Sequence, residues 1–348
     1  MSKYKQKKDN QNIKRAKENI LKPSNTLDGW PEIKGYDFEE DFDFETFINS
    51  YLNTGFQATN LSQSINIIKR MRDNNATIFL GFTSNMGTCG VRDHIKYLVK
   101  YKFINVIATT VGSIEEDIIK CFKPFVMGDY RAQGALLFEE GINRTGNIFC
   151  PNDRYLYFEE FMTKFLERLY KIQQDTNNII GIKEFVYELG RELESQNIEN
   201  RKQSFTYWAY KNEIPIFCPA LPDGSIGDMI YFFKKNNPDF KIDTSDYIVQ
   251  LTDMALNSNK MGLIAIGGSL PKHMIANAAM FREGCDYAVY INTGLEMEGS
   301  NAGAPIDEAV SWGKIKANAD KIKVEAEATL VFPLIIASAF KLYTPKNN

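Results

Sequence analysis

The sequence has few of the features that mark metal centres, disulfide-stabilised domains or membrane spans. Its five cysteines are scattered along 348 residues, at Cys89, Cys121, Cys150, Cys218 and Cys285. Because no two of them have C-x-x-C spacing, we predict neither a zinc site nor a disulfide framework, and a reducing cytoplasm fits best. The amino terminus has no hydrophobic signal core. The most apolar run, residues 329–340, is too short to span a bilayer, so we expect no membrane insertion.

The charge is nearly balanced, which argues against a nucleic-acid partner. The 41 basic and 44 acidic side chains leave a net charge of −3, and the basic residues are not interleaved with aromatic ones. The charge is nevertheless segregated, since residues 1–22 are basic and residues 36–47 are acidic. We predict a basic arm over residues 1–33 and a single domain over residues 34–348, although a solvated tail before a solvated helix would give the same pattern.

Short apolar runs alternate with helical patterns along most of the chain. The predicted strands are residues 76–82, 103–109, 214–220, 261–268, 287–293 and 322–328. Most of them are followed by a helical pattern, at residues 90–102, 114–122, 225–233, 272–283 and 330–343. This alternation predicts an α/β fold with a doubly wound, mostly parallel sheet. Residues 152–212 have helical spacing without a strand signal and are interpreted as a helical excursion inside the same domain.

Loops rich in Gly, Ser, Thr and Asn follow the predicted strands, where a doubly wound sheet binds its ligands. They are residues 83–90, 110–116, 221–228, 267–273 and 293–303. Small residues at these places let backbone N–H groups approach a phosphate at a helix N-terminus. The sequence has neither a G-x-G-x-x-G nor a Walker pattern, so ordinary strand-to-helix turns remain an alternative to a nucleotide site.

Acidic side chains are frequent at the same strand ends. They are Glu115, Glu116, Asp223, Asp228, Glu298 and Glu308. Carboxylates beside apolar walls suit a polycationic ligand, because each amine finds a partner that keeps it protonated. Acids that complement helix dipoles are the alternative.

Two further residues could carry chemistry. His273, one of only two histidines, opens a predicted helix where its ring can face the crevice. Lys314 directly follows Ser-Trp-Gly, a setting in which an amine can be held beside an aromatic ring. A packing histidine and a solvated surface lysine are the alternative interpretations.

From about residue 34 to residue 343 the sequence resembles the deoxyhypusine synthase family. The resemblance lies in residues 54–60, 83–85, 115–121, 215–230, 272–278, 287–293 and 307–315. It implies a Rossmann-like NAD-binding fold and an NAD-dependent transfer of the aminobutyl group of spermidine to a lysine of the precursor of translation initiation factor five-A. It also implies a tetramer, either of identical chains or with a paralogue, with active sites at dimer interfaces.

The resemblance assigns roles to individual residues. Lys314 matches the imine-forming lysine and His273 the acid/base residue. The spermidine-binding positions are Glu115, Glu116, Asp228, His273, Gly299, Ser300, Asn301, Glu308 and Trp312. The NAD-binding positions are Ser84, Asn85, Met86, Gly87, Thr88, Thr110, Val111, Gly112, Glu116, Asp223, Gly268, Thr293, Gly294, Glu327 and Ala328. We expect Trp312 to shield the lysine from water, Gly313 to permit a close backbone approach, and no metal to be needed.

Some positions depart from the family pattern. Residues 86–88 differ from the usual loop after Ser-Asn, Glu298 and Glu327 replace aspartates, and Asn301 replaces an aspartate of the amine pocket. The loss of a negative charge at Asn301 puts the affinity for the amine, or the identity of the amine, in question. Two alternatives are open, the first because it shares the fold and the lysine, the second because of Asn301 and the altered NAD loops. One is homospermidine synthase, which passes the butyl group to putrescine, and the other is a catalytically weak subunit that activates a paired assembly.

Overall fold

The computed structural model describes residues 2–341, with only the backbone of residues 2–7. The strands are β1 (Thr77–Phe82), β2 (Val106–Thr109), β3 (Val126–Met127), β4 (Ile142–Thr145), β5 (Ile148–Pro151), β6 (Ile180–Gly181), β7 (Ile216–Phe217), β8 (Ile242–Asp243), β9 (Met261–Ile266), β10 (Cys285–Asn292) and β11 (Ile315–Glu325). Six of them form a parallel sheet with the order β11-β10-β9-β1-β2-β7. The predicted α/β fold with a mostly parallel sheet is therefore confirmed.

Helices cover both faces of this sheet. They are α1 (Ser2–Ile20), α2 (Phe44–Ser50), α3 (Phe56–Asp73), α4 (Asn85–Thr88), α5 (Val91–Lys100), α6 (Val111–Ile119), α7 (Gly134–Glu139), α8 (Asp153–Thr176), α9 (Ile182–Ser195), α10 (Phe205–Asn212), α11 (Ser225–Asn236), α12 (Tyr247–Leu256), α13 (Ser269–Met280), α14 (Ile306–Ser311) and α15 (Ala328–Ile336). A π turn, Ala337–Lys341, continues α15. No helix of the described residues is long and apolar enough to cross a membrane.

The central strands are buried because helices pack on both sides of them. In β1 the side chains alternate between two cores: Leu80 and Phe82 join the larger core, whereas Phe79 joins the smaller one. The strand pairs in parallel with β2 and β9, with Phe79 opposite Val106 and Leu80 opposite Ile264. A strand buried on both faces reads as a continuous apolar run, which is why the sequence predicted it correctly.

The segments between the strands of the six-stranded sheet contain short strands that the sequence did not predict. The excursion over residues 152–212 is formed mainly by α8, α9 and α10, but it also contains β6, which pairs with β8. A three-stranded antiparallel sheet with the order β3-β5-β4, which we did not predict, precedes it. These strands are two to four residues long, too short to give a periodic pattern.

The prediction for the last strand was wrong in its bounds. We expected residues 322–328, whereas β11 begins at Ile315 and ends at Glu325. β11 lies at the border of the sheet, so several polar side chains between Lys316 and Lys321 are tolerated there and hide the strand pattern. As a consequence, Lys314 lies immediately before a strand, at the amino end of β11.

Candidate active site

Lys314 opens onto a cavity of about 250 Å³ between α13, the loop over residues 299–305, and α14. Seven of the predicted site residues line this space, which we call the Lys314 cavity: His273, Gly299, Ser300, Asn301, Glu308, Trp312 and Lys314. They come from three segments separated by up to 41 positions in the chain, so the fold brings together the proposed amine, the proposed base and one carboxylate.

The backbone of Lys314 is fixed by its neighbours. Its N–H donates to the carbonyl of Ala309 (2.9 Å), and its carbonyl accepts from the N–H of Cys285 (3.1 Å). Gly313 has a φ of +70°, and a Cβ there would meet no heavy atom within 4 Å. The expectation that this glycine permits a close approach was therefore wrong, because the left-handed turn before the lysine is what requires it.

Trp312 lies beside the lysine without covering it. The Lys314 Nζ atom is 5.5 Å from the centroid of the indole ring, within cation–π range. The Trp312 residue is 64 % exposed, however. Within a single chain this side chain does not exclude water from the amine, contrary to our expectation.

His273 lies on the second turn of α13 and faces the same cavity. Its Nε2 atom is 2.8 Å from the side-chain nitrogen of Asn277, one helical turn further on. Partial burial lowers the pKa of His273, and the positive charge of Lys314 lowers it further. The ring is therefore kept neutral near physiological pH, the form that can accept a proton.

The sequence analysis missed Lys272 and Tyr290, which line the same cavity. Lys272 is only 5 % exposed. Its Nζ atom donates to the carbonyl of Asn301 (2.5 Å) and lies 4.3 Å from the centroid of the Tyr290 ring. Burial, together with the charges of Lys323 and Lys314, lowers the pKa of Lys272 to about 8. The lysine thus holds the 299–305 loop against the sheet.

The acidic residues expected around the amine divide into two groups. Glu308 lines the Lys314 cavity, whereas Glu115, Glu116, Asp223 and Asp228 gather near the beginning of α11. Glu115 is buried, and its carboxylate accepts a hydrogen bond from the N–H of Ile226 (2.9 Å). The alternative interpretation, an acid that holds a helix N-terminus, therefore describes the contacts of Glu115.

The pKa values of this second group reflect their surroundings. Burial raises the pKa of Glu115, and the nearby carboxylates of Asp228 and Asp223 raise it further. Burial also raises the pKa of Glu116 to about 7, although the hydroxyl of Thr88 donates a hydrogen bond to it. Both groups would gain from a cationic ligand, because an ammonium favours the charged carboxylate.

The predicted cofactor residues follow β1, β2, β7, β9, β10 and β11 at the same edge of the sheet. The hydroxyls of Ser84 and Thr110 are 2.6 Å apart, and this hydrogen bond joins the loop after β1 to the loop after β2. Gly112 packs so closely on Ser84 that a Cβ would lie 2.7 Å from its Oγ atom. Met86 and Gly87 are buried, and so is Gly268, next to Ala302.

One buried donor at this edge lacks a hydrogen-bond partner within the described residues. Asn292 ends β10, its Oδ1 atom accepts from the N–H of Gly294 (3.1 Å), and its Nδ2 atom is buried without a partner among residues 8–341. A buried donor without a partner is costly unless a ligand oxygen completes it. The carboxylate of Glu327, another predicted NAD contact, already has a partner. It caps the N-terminus of α15 by accepting a hydrogen bond from the N–H of Leu330 (3.2 Å).

Comparison with known proteins gives a consistent result. The family model "DS: Deoxyhypusine synthase" matches residues 46–339. The chain is 49 % identical to a "probable deoxyhypusine synthase" of Methanocaldococcus jannaschii over 92 % of this chain and 100 % of the relative. It is 42 % identical to the deoxyhypusine synthase of Arabidopsis thaliana over 92 % of this chain and 93 % of the relative.

A solved structure agrees with this result. A crystal structure assigned to the deoxyhypusine synthases, from Entamoeba histolytica, aligns with a TM-score of 0.61 and 32 % identity, covering 89 % of this chain and 97 % of that one. The site residues and the comparisons lead to one conclusion: the chain belongs to the deoxyhypusine synthase family and is an enzyme of the transferase class.

Proposed function

We propose that this protein transfers the aminobutyl group of spermidine to one lysine of the translation initiation factor five-A precursor, with NAD as cofactor. The observation that carries the proposal is the Lys314 cavity, in which an amine, a neutral histidine and a carboxylate meet in a chain of this family. In this reaction the NAD would take a hydride from spermidine and return it to the product at the end.

The chain's own residues have separate tasks in this proposal. His273 takes the proton from the secondary amine of spermidine as the adjacent butyl carbon loses its hydride. The Lys314 amine attacks the resulting C=N carbon, and 1,3-diaminopropane leaves with the proton held by the histidine. The butyl imine on Lys314 is then attacked by the acceptor lysine, which restores the free amine of Lys314 before the final reduction.

The cofactor would lie at the strand ends. The loops that begin with Ser84, Thr110 and Gly268 present backbone N–H groups there, and the side-chain nitrogen of Asn292 lacks a partner within the described part of the chain. These donors suit the oxygens of a dinucleotide. The other NAD contacts that the family resemblance implies stay predictions.

The separation of the acids favours an assembly in which two chains complete each site. Glu308 is the carboxylate of the Lys314 cavity, whereas Glu116 and Asp228 belong to the group near α11. We propose that the second group of one subunit faces the Lys314 cavity of its neighbour, in a tetramer of identical chains or with a paralogue. The exposed indole of Trp312 would then be covered by that neighbour.

We further propose that residues 34–348 form a single domain and that residues 1–33 form a basic arm that can reach a neighbouring entrance. Residues 8–35 are exposed throughout, and α1 forms the first part of the arm, as far as Ile20. A cytoplasmic location fits the proposed acceptor, a translation factor.

The test is incubation of the purified protein with NAD, radiolabelled spermidine and either the purified acceptor protein or putrescine. We expect label in the acceptor protein and free 1,3-diaminopropane. Label in homospermidine alone would make the enzyme a homospermidine synthase. No transfer to either acceptor would leave the role of an activating subunit, and net release of NADH would indicate a simple dehydrogenase.

A further inference from the structure

A second cavity, of about 610 Å³, lies beyond the free edge of β7 and shares no lining residue with the Lys314 cavity. Its walls come from α9, α10, α12 and the segment that leads into β7. We call it the edge cavity. Its volume falls in the range of sites that hold small organic molecules. The proposed transfer reaction uses none of the residues around it.

The side chain of Gln250, on the wall of the cavity, carries a hydrogen-bond acceptor that has no partner among residues 8–341 and is enclosed by protein atoms. Its Nε2 atom donates to the carboxylate of Asp246 and approaches that of Glu184 (3.4 Å). This fixes the orientation of the amide, because the flipped form would place its oxygen against two carboxylates. The Oε1 atom is therefore the free end, and it is buried without a partner among the described residues. An amide oxygen can only accept, so a ligand at this atom must be a donor.

Thr206 adds a second polar group without a partner. The residue lines the cavity on the first turn of α10 and is 1 % exposed. Its backbone N–H donates to Asp117 (3.0 Å), but its Oγ1 atom has no partner in the described part of the chain. A buried hydroxyl without a hydrogen bond costs free energy that a ligand would recover.

The charges at the cavity favour a cation. Lys183 is paired with Glu184 (3.2 Å), so these two lining charges offset each other. Glu213, at the end of α10, is a further carboxylate on the wall. The rings of Tyr187 and Tyr210 pack edge to face with centroids 5.0 Å apart. An ammonium group is attracted both by a carboxylate and by aromatic faces.

The rest of the wall is apolar. Val186, Ile214, Pro215, Ile216 and Met254 contribute aliphatic surface. We propose that the edge cavity binds a small organic cation, a primary ammonium on an apolar body, and that the side chains of Gln250 and Thr206 turn toward it so that its N–H groups bond to Gln250 Oε1 and Thr206 Oγ1. The apolar body packs on the aliphatic wall and gains from its removal from water.

Met254 offers a local reporter for the test. The full-length protein is labelled with ¹³C in the methyl groups of its methionines, and Met254→Leu identifies the Met254 signal. The probe is 4-phenylbutylamine, and 4-phenylbutan-1-ol is the matched neutral control. Met274, on α13 next to His273, reports any binding of the same amine at the Lys314 cavity.

We expect the amine to shift the Met254 signal in a saturable manner and to bind at least about tenfold more tightly than the alcohol, because bonds to a charged donor are the stronger ones. Gln250→Leu and Thr206→Val should each weaken this binding about tenfold or more, whereas Thr206→Ser, which keeps the hydroxyl, should retain it. Unchanged signals of the other methionines show that a variant is folded. If Gln250→Leu does not fold, the two Thr206 variants decide.

Three results would overturn the proposal. The Met254 signal could stay unchanged at about 10 mM probe. The same result is expected if a neighbouring subunit fills the cavity, and it would equally overturn the proposal. Amine and alcohol could bind equally, which would show that the acceptors do not select a cation. The shifts could also be confined to Met274, which would place the amine at the Lys314 cavity alone.

Discussion

Replacing Asp117 by alanine should destabilise the protein more than any surface ion-pair change. Asp117 is fully buried and accepts hydrogen bonds from Arg92 (2.6 Å), from the hydroxyl of Ser204 (2.5 Å) and from the backbone N–H groups of Phe205 (3.2 Å) and Thr206 (3.0 Å). It thereby ties α5 and α6 to the first turn of α10. Asp117→Ala leaves a buried guanidinium without its carboxylate. It also leaves two backbone N–H groups at the N-terminus of α10 without a hydrogen-bond acceptor.

The magnitude follows from these contacts. Loss of one partner of a buried ion pair costs about 3–5 kcal/mol. For a chain of this size each kcal/mol corresponds to about 1.4 °C, so the melting temperature should fall by about 4–7 °C. Asp153 provides a control at the surface, because its carboxylate is about 40 % exposed while it pairs with Lys123 (3.0 Å) and Arg154 (2.5 Å). Asp153→Ala should cost at most about 1 kcal/mol.

The assay is thermal unfolding followed by circular dichroism, at one protein concentration because the proposed tetramer would melt in a concentration-dependent way. The double variant Arg92→Leu/Asp117→Leu should recover part of the loss, since no buried charge is left alone. If Asp117→Ala melts within about 2 °C of Asp153→Ala, the buried pair does not stabilise the fold as argued.

Four other changes probe the proposed function. Lys314→Ala and Lys314→Arg should both abolish transfer, since neither side chain can form an imine; a borohydride-trapped adduct on a peptide without Lys314 would refute this assignment. His273→Ala should lower kcat by roughly 10²–10⁴-fold with little effect on NAD affinity; a collapse of that affinity in a binding titration would make the ring a cofactor contact. Asp228→Ala should raise the KM for spermidine by about two orders of magnitude, and an unchanged KM would place the amine elsewhere. Deleting residues 1–22 should leave the assembly intact by light scattering and make initial rates less dependent on salt, whereas dissociation, or an identical salt profile, would contradict a gating arm.

The parts of the fold that the sequence predicted well are those with a continuous apolar signal. β1 and β9 are buried on both faces and were placed within one or two residues. β11 was misplaced because it lies at the sheet border and alternates with lysine, asparagine and aspartate. The small antiparallel sheet was missed because its strands are short and largely exposed.

The site shows a similar division. The grouping of Lys314, His273 and Glu308 was expected from the resemblance, and the fold places them around one cavity. Lys272 was missed because a lysine beside a histidine on a helix is usually solvated, and only the tertiary structure shows it buried against Tyr290. The separation of the acids into two groups depends on distances across the fold, which no local pattern encodes.

The contacts of Lys314 distinguish its main chain from its side chain. The N–H and the carbonyl of the residue are both engaged, one with α14 and the other with β10. Its side chain is partly exposed at the wall of the Lys314 cavity, and the Nζ atom lies 5.5 Å from the centroid of the Trp312 ring. In the proposed reaction one nitrogen must meet two partners in succession, a small polyamine and then the surface of another protein. A fixed main chain with a long, rotatable side chain serves both encounters. The amine can turn outward to the second partner without any movement of the sheet to which its backbone is bonded.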